Sequence, residues 1–249
     1  MKTNRVINRE CLEPRTGAMA ATPATTSVGR AGRTLPAFTL IEILVVIAIM
    51  GIVAAMVLEG GQYASKVKKE TLVKAEREKL QTMIDNYQAK LNFYPPDNGN
   101  LAALTSSASQ TEYEDYTASN ALLYELTGVT NTNSTFAVIF NGQEISLTRN
   151  FLTYFDRSGV ANADSSEPQD FFKPPPRPQD YTNYPGTAPN TYDALGLLVP
   201  APLVPGQFNF WHYDASSPRR HNQNTYDLWA EFAIGTQNGN PVIETNGNW

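Results

Sequence analysis

"AFTLIEILVVIAIMGIVAAMVL", residues 37–58, decides how the rest of this chain is organised. Residues 38–58 contain one charged side chain, Glu42, and no proline. At 1.5 Å per residue, a helix of this length is about 30 Å long, which matches the hydrocarbon core of a bilayer. The sequence therefore predicts a membrane-spanning helix that carries a carboxylate in its first turns.

The segment ahead of the apolar run, residues 1–37, differs in composition from the rest. It has six basic and two acidic side chains, so the remainder of a chain whose total is −5 has a net charge of −9. A basic, Ala/Thr-rich segment before an apolar run is typical of a targeting segment, and we predict a leader peptide over 1–37.

The predicted leader contains Cys11, the one cysteine of the chain, so the mature chain would have no disulfide. An acidic chain without clustered Lys and Arg argues against a nucleic-acid partner.

Two simpler interpretations of the apolar run leave Glu42 unexplained. A secretory signal peptide cut near Ala55 would have an apolar core of about 7–15 residues and no glutamate in it. A plain anchor would gain nothing from a charge that is costly inside a bilayer. Basic residues flank the run on both sides, so their count does not set its orientation.

The run resembles the class III signal of type IV pilins and of type II secretion pseudopilins, in particular a major-type pseudopilin. Those families have a small residue, then Phe-Thr-Leu-Ile-Glu, then an uninterrupted apolar helix, as residues 37–58 do. The resemblance implies cleavage by prepilin peptidase between Ala37 and Phe38, and methylation of the new Phe38 amine. Ala37 stands where the family usually has glycine.

The resemblance also gives Glu42 a use. In the family, this carboxylate pairs with the N-terminal amine of a neighbouring subunit and sets the register of filament assembly. The implied partners are prepilin peptidase, other pilin-like subunits and an inner-membrane assembly platform. The implied location is a single-pass inner-membrane protein with its C-terminal domain in the periplasm, which then enters a pseudopilus.

The helix is predicted to continue past the membrane, because no proline lies between Pro36 and Pro95. We assign residues 38–60 to the transmembrane and assembly helix and residues 61–94 to an amphipathic continuation, with the Gly60–Gly61 pair as a soft point. Apolar residues recur at helical spacing and indicate a stripe that packs on a sheet: Val73, Leu80, Ile84, Tyr87, Leu91 and Tyr94. Lys66, Glu70, Lys74 and Glu78 predict a ladder of i,i+4 ion pairs.

Residues 95–249 are predicted to form a globular α+β domain, so that the fold class is α+β and pilin-like: a long N-terminal helix packed on a small antiparallel sheet. "SNALLYELTG" predicts a short helix with Ser119 or Asn120 as its cap and Gly128 as its stop. "TFAVIFNGQEISLT" predicts a hairpin around Asn141-Gly142. Residues 156–190 are Pro-rich and predict a loop or extended insertion. "GQFNFWHY", "TYDLWAEFAI" and "PVIETNGNW" predict C-terminal strands.

Calcium is the one cofactor that the resemblance raises. In the family, a Tyr-Asp-Leu strand near the C-terminus is followed by a calcium-binding loop, and the matching candidates here are Asp227, Asn238, Asn240 and Glu244. Calcium prefers several carboxylate or carbonyl oxygens, and Asn238 and Asn240 stand in place of the family's acids. The donor set is therefore poor.

No motif in the chain indicates catalysis. His212 and His221 are the only histidines and lack metal-ligand spacing, and no nucleophile elbow, phosphate loop or dinucleotide fingerprint is present. We predict a protein that is not an enzyme: a pseudopilus subunit, with a type IV pilin or minor pilin as the alternative. An alternative of another class is an exported or anchored binding module, with Trp211, Tyr213, Tyr226 and Trp229 as a carbohydrate-binding platform.

Replacing Ala37 with a bulky residue such as Leu should block processing, since the peptidase site must accept a small side chain before the cut. The expected result is a full-length precursor in the membrane fraction on immunoblots. Wild-type migration, together with the wild-type mature N-terminus, would contradict the predicted cleavage site.

Overall fold

The computed structural model describes residues 38–105, 107–132, 135–140, 143–147, 150–163, 168–185, 194–204 and 206–249. The predicted leader, including Ala37, lies outside the described residues. The protein is α+β, with one long N-terminal helix and small antiparallel sheets. Internal contacts divide the chain into two units with a boundary between Ile49 and Met50, inside that helix.

Helix α1 spans Leu40–Leu91, close to the predicted bounds, and continues through Gly60 and Gly61. It ends where Asn92 adopts a left-handed φ of 67°, ahead of Pro95 and Pro96, which cannot continue a helix. By length and composition, α1 is apolar enough to cross a membrane.

The second half of α1 supplies one wall of the core. The predicted stripe is confirmed: Val73, Leu80, Ile84 and Tyr87 are buried, and Leu91 and Tyr94 pack against the core partly exposed. Met83 is buried with them, which the sequence pattern did not single out. Of the predicted charge ladder, the Lys66–Glu70 pair forms at 3.4 Å, but Lys74 and Glu78 form no ion pair in the part of the chain that the structure describes. Outside the ladder, Lys79 pairs with Glu76 at 3.1 Å. Both pairs are partly exposed and contribute little to stability.

Three short helices follow: α2 (Gly99–Ala103), α3 (Gln110–Ala118) and α4 (Leu122–Thr127). The predicted helix over "SNALLYELTG" is α4, and Gly128 ends it at a φ of 75°. Its N-cap position is Ala121 and not Ser119 or Asn120, although the Asn120 side chain accepts a hydrogen bond from the Leu122 N–H at 3.2 Å. The acidic stretch 112–115 lies in α3, and the Ser109 side chain caps that helix by accepting from the Glu112 N–H at 3.1 Å.

In the described residues, the strands form three antiparallel sheets rather than one, and an antiparallel bridge between Leu198 and Phe210 links the second sheet to the third. The first joins β1 (Val129–Thr132), β2 (Thr135–Phe140) and β3 (Gln143–Leu147), and helix α5 (Asn150–Tyr154) follows it. The second pairs β4 (Tyr181–Asn183) with β5 (Leu195–Leu197). The third joins β6 (His212–Asp214), β7 (Asp227–Gln237) and β8 (Asn240–Gly247). Strands β2 and β3 form the predicted hairpin, while its turn residues Asn141 and Gly142 lie outside the described residues.

The described parts of the Pro-rich insertion at 156–190 pack against the core of the α+β unit. They include a 3-10 turn, Ala161–Ala163, and strand β4. Phe172 is buried in the core, and so is Asn162. The Asn162 amide donates to the Glu125 and Gln169 carbonyl oxygens, each at 2.7 Å. The insertion is therefore held by specific polar contacts to α4.

A buried carboxylate, Glu125 of α4, joins α1 to this insertion. It accepts hydrogen bonds from the Tyr87 hydroxyl at 2.9 Å, from the Ala161 N–H at 2.9 Å and from the Asn162 N–H at 3.0 Å. Burial raises the pKa of Glu125, and the hydrogen bonds from Ala161, Asn162 and Tyr87 oppose that rise.

Residues 62–249, expressed without the apolar run, should be soluble and should unfold cooperatively. In this fragment, Glu125→Gln should lower the free energy of unfolding by about 1–3 kcal/mol at pH 5. The amide NH₂ group cannot accept the hydrogen bonds that the Tyr87 hydroxyl and the backbone N–H groups donate to Glu125. Because the pKa of Glu125 is higher in the folded than in the unfolded state, its contribution to the free energy of unfolding falls as the pH rises through the folded-state pKa. The stability difference between wild type and Glu125→Gln should therefore shrink as the pH is raised stepwise from 5.

The measurement is urea unfolding of both proteins at each pH. Glu78→Gln, on the exposed face of α1, is the matched control and should behave as wild type. A difference between wild type and Glu125→Gln that does not change with pH would contradict the role of Glu125, and a fragment without a cooperative transition would contradict a self-contained domain.

Candidate functional site

α1 begins in a reciprocal hydrogen-bonded cap formed by Thr39 and Glu42. The Thr39 N–H and the Thr39 hydroxyl both donate to Glu42 Oε2 at 2.9 Å, and the Glu42 N–H lies 3.3 Å from Thr39 Oγ1. This is the capping box that a Thr-x-x-Glu sequence forms at a helix start. A carboxylate in the first turn also complements the positive end of the helix dipole.

The cap leaves one oxygen of Glu42 open to an external partner. Both side-chain hydrogen bonds end on Oε2, and Oε1 has no hydrogen-bond partner among the described residues. Phe38, directly before the cap, is 80% exposed. The arrangement therefore places an accessible residue 38 and a half-satisfied carboxylate within one turn of each other.

The apolar side chains that follow are uncovered on every face of the helix. All residues from 40 to 57 are exposed, and the large apolar ones are Leu40, Ile41, Ile43, Leu44, Val45, Val46, Ile47, Ile49, Met50, Ile52, Val53, Met56 and Val57. A helix that is apolar all round needs lipid or other helices around it. No described part of the chain provides that cover.

The structure does not bring the four calcium candidates together. Asp227 is buried at the start of β7 and accepts hydrogen bonds from the His221 and Asn222 N–H groups at 2.6 and 3.0 Å. Asn238 lies in the turn beyond the other end of β7, about 36 Å away at 3.3 Å per residue. Asn240 begins β8 beside that turn, and Glu244 pairs instead with Lys66 at 3.9 Å. The four residues do not form one ion site.

The four aromatic residues of the binding-platform hypothesis are core residues. Trp211, Tyr213, Tyr226 and Trp229 are all buried. The Tyr213 hydroxyl donates to the Pro95 carbonyl oxygen at 2.7 Å, which ties β6 to the end of α1. These residues therefore offer no exposed platform, and that prediction is wrong.

Both histidines are held by structural contacts. His212 stacks on Trp229 and lies 2.9 Å from Thr117 Oγ1, and burial lowers its pKa to about 4. His221 stacks on Trp249 and lies 3.1 Å from Asp227 Oδ2. Within the described ranges, no three His, Cys, Asp or Glu side chains converge as a metal site would need.

Sequence reasoning missed the capping box, although its signal is the Thr-x-x-Glu of residues 39–42. It also missed the buried carboxylates Asp97 and Asp214, which cap the loop after β6. Asp97 accepts from the Ala215 and Ser216 N–H groups at 2.6 and 2.8 Å. No local pattern marks such residues as buried.

Of the predicted site residues, the structure brings together Phe38 and Glu42, at the start of α1. Ala37, on the other side of the predicted cut, lies outside the described residues. Comparisons with protein-family models, with curated proteins and with solved structures gave no match for this chain.

Proposed function

We propose that this protein is a pilin-like filament subunit, most similar to a major-type pseudopilin of a type II secretion system. The observation that carries the proposal is a capped Phe-Thr-Leu-Ile-Glu helix start followed by an apolar half that is exposed on every face. The same helix then turns amphipathic and packs into an α+β unit through Val73, Leu80 and Tyr87. A helix of this kind supports both membrane insertion and later packing against other helices.

Processing in this proposal is cleavage by prepilin peptidase between Ala37 and Phe38, followed by N-methylation of Phe38. Cleavage creates a cation one residue before the cap. The cap does not depend on the leader, because its hydrogen bonds join only Thr39 and Glu42. Helix α1 therefore keeps its first turn after the leader is removed.

Assembly in this proposal uses the free oxygen of Glu42. Inside a bilayer, an uncompensated carboxylate is costly, and a cation from a neighbouring subunit lowers that cost. Glu42 Oε2 is held by Thr39, which fixes the carboxylate and leaves Oε1 for the methylated amine of an adjacent copy. Pairing at one position along the helix sets the axial register of each added subunit.

The proposed setting is a single-pass inner-membrane protein with its C-terminal unit in the periplasm, which then enters a pseudopilus. Its partners there are prepilin peptidase, other pilin-like subunits and the inner-membrane assembly platform. In this proposal the subunit acts mechanically, because growth of the filament moves the globular units outward. The only covalent changes are the cleavage and methylation of the subunit itself.

Substitutions at the cap separate charge pairing from helix capping. Glu42→Gln keeps an acceptor for the Thr39 N–H but removes the charge, and Glu42→Ala removes both. Both variants should be cleaved normally and should lose most filament yield. Thr39→Ala removes the hydroxyl contacts but keeps the charge, and should assemble like wild type. The measurement is filament recovery after shearing, at equal mature protein on immunoblots of the membrane fraction.

Each outcome bears on the assigned role of Glu42. Wild-type filament yield from Glu42→Gln would remove the charge-pairing role and leave Glu42 as a helix cap. Equal loss in Glu42→Gln and Thr39→Ala would show that the cap itself is what assembly needs.

A further inference from the structure

We propose that the tip of the β7–β8 hairpin, residues 235–241, rests against the lipid head groups of the bilayer before the subunit assembles. The inference rests on the membrane insertion proposed above. It concerns a different part of the chain and assigns it a partner of its own, a phospholipid surface.

Three contacts fix how the hairpin runs along α1. Lys69 Nζ donates to the Ala233 carbonyl oxygen of β7 at 2.8 Å. Lys66 Nζ lies 3.9 Å from Glu244 Oε2 of β8, and the Arg77 guanidinium donates to the Gly247 carbonyl oxygen. Strand β8 therefore runs in the same direction as α1. The tip of the hairpin points back toward the apolar end of the helix.

The lengths of the two elements bring the tip to the end of the apolar run. Ile243, paired with Ala233, lies five positions from Asn238, which is about 16 Å along a strand. Lys69, bonded to Ala233, lies eleven positions from Leu58, which is about 16 Å along a helix. Leu58 is the last residue of the run that would lie in the hydrocarbon core. The turn at 238–239 thus falls at the level of the bilayer surface.

The tip is exposed and uncharged. Strand β7 is buried or half-buried from Asp227 to Ile234, and Gly235, Thr236 and Gln237 are then exposed. The turn residues Asn238 and Gly239 and the start of β8 are exposed too. Residues 235–241 read "GTQNGNP". Hydroxyl and amide groups can donate to phosphate and ester oxygens without a charge having to be desolvated.

One lysine on α1 adds a preference for anionic lipids. Lys68 is exposed and follows the apolar run within three turns, whereas Lys66 is paired with Glu70 and Glu244. Lysine side chains near a membrane surface are attracted to anionic lipids. Lys68 therefore adds a cation to the polar groups that the hairpin tip offers to the head groups.

The test uses the full chain with Cys11→Ser and one new cysteine that carries an environment-sensitive fluorophore. Gln237→Cys reports on the hairpin tip. Tyr63→Cys, at an exposed position just past the apolar run, reports on insertion. Ala89→Cys is the matched control, since this exposed position is about 46 Å along α1 from Leu58. The proteins are reconstituted at low density in phosphatidylcholine–phosphatidylglycerol vesicles that contain a head-group spin-labelled quencher lipid.

Quenching at Gln237→Cys should be close to that at Tyr63→Cys and several-fold above that at Ala89→Cys. Strong quenching at Tyr63→Cys alone would overturn the hairpin contact and leave membrane insertion standing. Weak quenching at all three positions would overturn both proposals. A fluorescence change at Gln237→Cys that follows protein density instead of quencher lipid would identify a second copy of the chain as the partner, and would also overturn the inference.

Discussion

The side chains of α1 meet two different surroundings along one helix: none of the described chain covers the first half, and the α+β unit covers one face of the second half. Residues 40–57 are apolar or small on every face, apart from Glu42, and are exposed. From Val73 to Tyr87, only one face is apolar, and it is buried against the α+β unit. Burying side chains such as Leu80 and Ile84 stabilises that unit by about 1.5–3 kcal/mol each. The first half has no such partner among the described residues, and lipid or neighbouring helices supply one in the proposed function.

Irregular segments of the globular unit are held by buried carboxylates. Glu125 accepts from the backbone of the insertion, and Asp97, Asp214 and Asp227 accept from the loop between β6 and β7. Buried backbone N–H groups need acceptors, and loops lack the regular backbone hydrogen bonds that provide them in helices and sheets. No cysteine lies beyond residue 11, so these segments are held by hydrogen bonds to carboxylates and not by disulfides.

Local patterns predicted the parts of the fold that depend on local signals. The stripe of α1, helix α4 before Gly128 and the β2–β3 hairpin all have short-range periodicity or turn residues. Helix α3 was missed because its charged residues suggest a solvated loop, although Ser109 caps it and Tyr113 is buried. The division into three sheets, the burial of Trp211 and the separation of Asp227 from Asn238 depend on long-range pairing, which one sequence does not encode locally. At the candidate site, the sequence predicted Phe38 and Glu42 but not the contribution of Thr39.

We propose that residue 38 becomes the N-terminus on which the assembly of α1 depends. N-terminal sequencing and mass spectrometry of the protein, purified from the membranes of cells that express prepilin peptidase, test it most directly. We predict a mature chain that begins with N-methylated Phe38. A chain that begins near Ala55, or one that keeps residues 1–37, would contradict it.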